Sequence, residues 1–191
     1  MGIGVSRRLD YPSACSLAIL AIEEAGKLSL LRMVLLSREP EKLKKAWRAY
    51  RDHKAKNAQW IVPDLVRGGA RTAEDLKVIF DEKSEHTLVL DTLKQLGFYT
   101  DTYKRGLWAS PEKSIEEHVA KEIVRAAEIL TPKRETTERE MELWVKHVSP
   151  HWGAGRAPAE TFEFYKAMND ERLANYNLAE VAAFLGIKGK H

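Results

Sequence analysis

Cysteine is nearly absent from this chain: Cys15 is the only one in 191 residues. That excludes a disulfide framework and multi-cysteine zinc sites, and it fits a reducing compartment. No apolar run reaches the roughly 18–20 residues that span a bilayer. The best candidate, residues 14–36, is interrupted by Glu23, Glu24, Lys27 and Arg32. Near the N-terminus stand Arg7, Arg8 and Asp10 rather than the apolar segment and cleavage site of a secretion signal. The expectation is a cytoplasmic protein with no membrane partner. The phosphate-cradling P-loop, the G-x-S-x-G elbow and the dinucleotide-binding glycine pattern are all missing, and no cofactor is expected. Internal repeats and low-complexity tracts are missing too. Net charge is only +3, which by itself argues neither for nor against a nucleic-acid partner.

What is present is helical periodicity. Hydrophobic residues make up 44% of the chain, enough for an ordinary globular core without staples. From Pro12 to Leu36, Leu17, Leu20, Ala21, Glu24, Leu28 and Leu31 recur at three- and four-residue steps. Pro12 suits a first helical turn, with Ser13 helping at the start. Gly26 costs about 1 kcal/mol relative to Ala inside a helix, so close packing against a neighbour is expected there. A second helix is predicted over Pro40–Lys56, with apolar positions Leu43, Ala46, Trp47 and Tyr50. A short segment at 60–63 leads to a turn at Gly68-Gly69. A helix is then predicted over Thr72–Leu96, bent or divided by Asp81-Glu82-Lys83-Ser84.

Residues 97–111 change character and read as a hairpin-like excursion. Ser114 with Glu117 has capping-box spacing for a further helix ending at Thr131-Pro132. Helices follow over 136–148, 160–167 and 178–185, with a loop over 149–158. The fold class is therefore all-α, a helical bundle with that excursion and extra C-terminal helices.

The cations are concentrated. Residues 38–57 hold Arg38, Lys42, Lys44, Lys45, Arg48, Arg51, Lys54 and Lys56 against Glu39, Glu41 and Asp52. Within this stretch Arg48 and His53 form an R-x4-H pattern. His moves protons near neutral pH, and Arg holds a phosphate through paired donors. The pair suits cleavage of RNA by its own 2′-OH, which needs no metal. On an unbroken helix the two side chains point about 140° apart. They can cooperate only if a ligand or second helix lies between them, or if the helix unwinds locally.

Glu23 and Lys27, at i and i+4, read on their own as an exposed surface pair. His147 and His151 have metal-ligand spacing, but Ser149-Pro150 separates them and no paired carboxylates accompany them. No metal site is expected. A different class of function is a winged-helix DNA-binding regulator, with a recognition helix over 84–98 and a wing tip at Lys104-Arg105-Gly106. Against it, that helix carries Glu85, Asp91 and only Lys94.

Three segments taken together resemble the AbiV family of abortive-infection proteins, within the HEPN superfamily of helical ribonucleases. The first is residues 11–27, ending in Glu23-Glu24-Ala25-Gly26-Lys27. The second is residues 47–56, carrying Arg48 and His53. The third is Gly97-Phe98-Tyr99-Thr100-Asp101 followed by Gly106-Leu107-Trp108 and Pro111.

The resemblance implies a HEPN bundle over residues 1–132, with 133–191 a helical extension packed on the same domain. It implies a homodimer in which R-x4-H elements of two chains line one cleft. It implies metal-independent endoribonuclease activity in antiphage defence, with RNA as substrate and a phage-encoded activator as a further partner. On this reading Arg48 binds and polarises the scissile phosphate, and His53 is general acid or base. Arg51, Lys54 and Lys56 add phosphate contacts, while Glu23, Glu24 and Lys27 orient the cleft. The alternative within the superfamily is a HEPN module that binds RNA or dimerises without cutting.

Overall fold

The computed structural model of the chain describes residues 10–81, 84–99, 101–103, 107–151 and 157–187. It is organised around one long helix, α1 (Tyr11–Leu36). Asp10 caps it, its carboxylate accepting from the Ser13 backbone N–H at 3.2 Å and the Ser13 hydroxyl at 2.6 Å. Pro12 sits in the first turn, where its missing N–H costs nothing.

α2 (Pro40–Arg51) and α3 (His53–Asn57) follow, then a 3-10 turn at Ala58–Ile61 and α4 (Val62–Arg67). α5 is His86–Phe98. Two short strands, β1 (Asp101–Tyr103) and β2 (Leu107–Ala109), pair antiparallel with Thr102 opposite Trp108. The predicted hairpin is thus present; its tip, Lys104-Arg105-Gly106, lies outside the described residues. α6 (Pro111–Ser114), α7 (Glu117–Leu130), α8 (Glu138–Val148), α9 (Ala157–Asp170) and α10 (Leu178–Phe184) complete the chain.

Two cores form along α1. In its N-terminal half Cys15, Ala18, Ile19 and Ile22 pack against Leu90 of α5, Ile115, and Ala120, Ile123, Ala126 and Ala127 of α7. The alanines of α7 let the two helices approach closely. At the other end Leu36 joins Leu143 and Val148 of α8 and Phe164 and Met168 of α9. There the Arg32 guanidinium lies 5.2 Å from the Trp144 ring centroid and pairs with buried Glu140 at 2.6 Å. No helix among the described residues is long and apolar enough to cross a membrane.

The structure departs from the periodicity reading in four places. The helix predicted over 40–56 is broken at Asp52, whose backbone is extended (ψ 123°) and whose carboxylate accepts from Lys54 N–H at 2.9 Å. Asp52 therefore ends α2 and caps α3. Residues 72–76 are a turn, not helix, because the Asp75 carboxylate takes both the Arg71 and Thr72 backbone N–H groups at 2.9 Å. Regular α-helix resumes only at His86. The Ser114–Glu117 capping box is not made: the Ser114 hydroxyl donates back to Ser110 C=O at 3.0 Å, and α7 starts after Glu116. The helix predicted over 160–167 extends over Ala157–Asp170.

Candidate functional site

The break at Asp52 builds the site. His53 becomes the first residue of α3, a short helix lying across α1 at Gly26. Any Cβ on Gly26 would overlap the Lys56 carbonyl oxygen, so the missing side chain is what lets α3 sit this low. At that depth His53 Nδ1 reaches Glu23 Oε2 at 2.8 Å. The Glu23 side chain is only 5% exposed, whereas that of His53 is 58% exposed.

Glu23 is shared. Its Oε1 accepts from Lys94 Nζ of α5 at 2.6 Å, and Asn57 Nδ2 stands 3.5 Å from the same oxygen. Lys94 is itself buried and also pairs with Asp91 at 3.1 Å. Burial pushes the Glu23 carboxyl upward, but hydrogen bonds from Lys94 and His53 outweigh it and hold the group below the usual carboxylate range. For Lys94, burial pulls downward, and the hydrogen bonds to Glu23 and Asp91 more than reverse it, so the ammonium titrates above its ordinary value. Glu23 is thus an anion at neutral pH and can only accept. Nδ1 of His53 is then the donor in this bond, and Nε2 has no partner among the described residues.

The exposed cations surround this nitrogen in sequence. Arg48 and Arg51 end α2, and Lys54 follows His53; all three are exposed, and none of their side chains is bonded to another described residue. Cations in a last helical turn also complement the helix dipole. Lys56 differs: it is buried, with its carbonyl against Gly26, so the structure does not bring it to the surface with the others. The predicted Glu23–Lys27 pair is not formed. Lys27 bonds Glu24 instead, at 2.6 Å and three residues away, because Glu23 faces inward to His53 and Lys94.

A family model, AbiV of the HEPN group, matches residues 6–131, more than half of the chain. The chain belongs to the AbiV family of HEPN proteins. No curated protein and no solved structure is significantly similar to it. The matched region of this AbiV chain contains Glu23, Arg48, His53 and Lys94, and it stops before α8.

Sequence reasoning missed Lys94, Asp91 and Asn57. Lys94 had a signal: it follows Leu90 by four residues and precedes Gly97 by three, so it shares the face on which α5 meets α1. Asn57 follows His53 by four. The same inward turn of Lys94 removes the one cation from the helix that a winged-helix reader would insert into DNA. Among the remaining histidines, His86 is structural: Nε2 donates to Ala58 C=O at 3.0 Å and Nδ1 meets the Ser84 hydroxyl at 2.6 Å. No group of three or more His, Cys, Asp or Glu residues that could hold a metal occurs among the described residues.

Proposed function

We propose that this AbiV-family protein is an abortive-infection endoribonuclease that cleaves RNA through Arg48 and His53. The observation that carries the reading is the His53–Glu23 hydrogen bond. It ties one imidazole nitrogen of an exposed histidine to a buried carboxylate, and Arg48, Arg51 and Lys54 flank that histidine in sequence, three cations whose side chains pair with no other described residue. The 2′-oxygen of a ribose attacks the adjoining phosphorus, the bond to the 5′-oxygen breaks, and the ends are a 2′,3′-cyclic phosphate and a 5′-hydroxyl. His53 Nε2 carries the proton leaving the 2′-OH or the one reaching the 5′-oxygen. Arg48 holds the phosphate and stabilises the charge that grows on its oxygens. Arg51 and Lys54 bind neighbouring phosphates, and Lys56 supports α3 from beneath. On this reading the protein works in the cytoplasm, where its RNA substrate is.

A second copy of the chain is part of the proposal. With the helix broken at Asp52, Arg48 and His53 stand on separate elements. A homodimer whose two R-x4-H elements share one cleft offers a phosphate more than one Arg and one His.

The test is incubation of wild-type and His53→Ala protein with total cellular RNA in EDTA. Wild type fragments the RNA and leaves cyclic-phosphate ends; His53→Ala loses about 10²–10⁴-fold in rate with an unchanged circular dichroism spectrum. Equal cutting by both proteins overturns the assignment. Salt-dependent RNA binding without cutting, even after extract of phage-infected cells supplies an activator, makes this a binding module instead.

A further inference from the structure

The buried carboxylate of Glu23 has two claimants, and only one is the histidine. His53 hangs on Oε2 from α3, and Lys94 reaches Oε1 from α5. A buried anion needs a cation beside it. Around Glu23, Asp91 of α5 adds negative charge next to Lys94. On α1, Lys27 is committed to Glu24 at 2.6 Å. From α3, Asn57 contributes a neutral amide. Arg48, Arg51 and Lys54 on either side of His53 make no contact with the carboxylate. Among the described residues, Lys94 is therefore the one permanently charged cation hydrogen-bonded to Glu23, with Lys27 acting on it only at a distance; His53 is the other bonded group that can become positive.

We propose that Lys94 is a positioning residue for His53: by neutralising Glu23 at Oε1, it lets Oε2 orient the imidazole without fixing a second proton on it. The proposal rests on the nuclease reading for its consequence, although not for its geometry. Without Lys94, the buried carboxylate must find its counter-charge in His53. The imidazole then becomes a standing imidazolium, hydrogen-bonded in place but unable to take a proton from the 2′-OH.

The test uses full-length protein labelled with ¹⁵N-histidine, in wild type, Lys94→Met, Lys94→Gln and Lys94→Arg. Lys94→Gln keeps an amide donor for Oε1 while removing the charge, so it serves if Lys94→Met does not fold. Ring-nitrogen shifts of His53 report the fraction present as imidazolium, and RNA cleavage is followed across pH on the same samples. In both neutral variants the imidazolium fraction of His53 at pH 7 rises above that of wild type. The pH profile of cleavage moves up by about one unit, so the rate on its acidic limb falls about tenfold. Lys94→Arg behaves as wild type.

A folded neutral variant whose His53 spectrum and pH profile match wild type overturns the inference, as does a fall in imidazolium fraction, which would mean Glu23 itself takes the proton. The two readings fail separately. If no protein cuts RNA but the His53 spectrum responds to the loss of Lys94, the nuclease assignment falls and the coupling stands. If wild type cuts and the spectrum is indifferent, the coupling falls alone.

Discussion

A carboxylate buried as deeply as that of Glu23 is stable only with positive charge and hydrogen bonds at both oxygens. Lys94 and His53 supply them, and this makes the site a contributor to folding as well as chemistry. The signs follow from the directions of the two shifts. Glu23 titrates lower in the folded than in the unfolded chain, so its contribution is full above the ordinary value of 4.5 and disappears as pH falls through the folded value. Lys94 titrates higher when folded, so its share is full below 10.5 and is lost as pH rises through the folded value. Both are complete at neutrality. Glu23→Gln, which leaves the buried Lys94 charge with Asp91 alone, is expected to cost about 3 kcal/mol at pH 7. It should also flatten the loss of stability on acidification. Urea unfolding at pH 7 and pH 4 measures both; equal slopes with pH in wild type and variant refute the account. That Glu23 and not Glu24 faces inward was within reach of the sequence, because Glu23 lies four residues after Ile19 and three before Gly26. The phase was obscured because α1 is apolar on nearly every side. A helix of that kind does not announce which face is buried.

At the scale of elements, periodicity located α1, α7, α8 and α10 to within a residue or two of their observed ends. It failed where a side chain competes with the helix for backbone N–H groups. Asp52 and Asp75 are both such residues, and neither is accompanied by the Pro or Gly that would mark a break. The Asp52 cap matters most, since it converts one basic helix into α2 and α3 and turns His53 onto Glu23. Gly26 was legible as a close approach, and the α1–α3 contact depends on it. Gly26→Ala forces the Lys56 carbonyl away from α1 and is expected to destabilise the protein by about 2 kcal/mol, in the range of overpacked contacts. Because α3 carries His53, cleavage should fall further than stability. Measuring RNA cleavage well below the melting transition of the variant separates the two effects. A stable Gly26→Ala protein with full cleavage would mean that α3 need not lie on α1.

On the scale of the molecule, α1 is packed on one side and open on the other. Cys15, Ile19, Ile22 and Gly26 point into the fold, whereas Leu17, Leu28 and Leu35 repeat at near-whole turns on the opposite side. Leu17 is 61% and Leu35 43% exposed. Grooves flank this stripe, the larger lined by Ala14, Leu17, Ala21, Val124, Ala127 and Pro132. Long apolar stripes on a surface mark interaction sites, and a second copy of the chain is the proposed partner. If two copies pair antiparallel through this stripe, Leu17 of one faces Leu35 of the other and Ala21 faces Leu31, a small residue against a large one. Glu23, His53 and α3 lie on the Gly26 side of α1, so this pairing leaves the two sites on outer faces, and a shared cleft needs a different interface. Leu17→Glu with Leu35→Glu, placed where the fold itself makes little use of either side chain, is expected to convert a dimer into a folded monomer by sedimentation velocity. RNA cleavage that falls with the dimer, while the His53–Glu23 hydrogen bond persists in the histidine spectrum, would tie activity to the pairing. Wild type that sediments as a monomer at tens of micromolar and still cuts RNA would show that one chain holds a complete site, and that the stripe serves another partner.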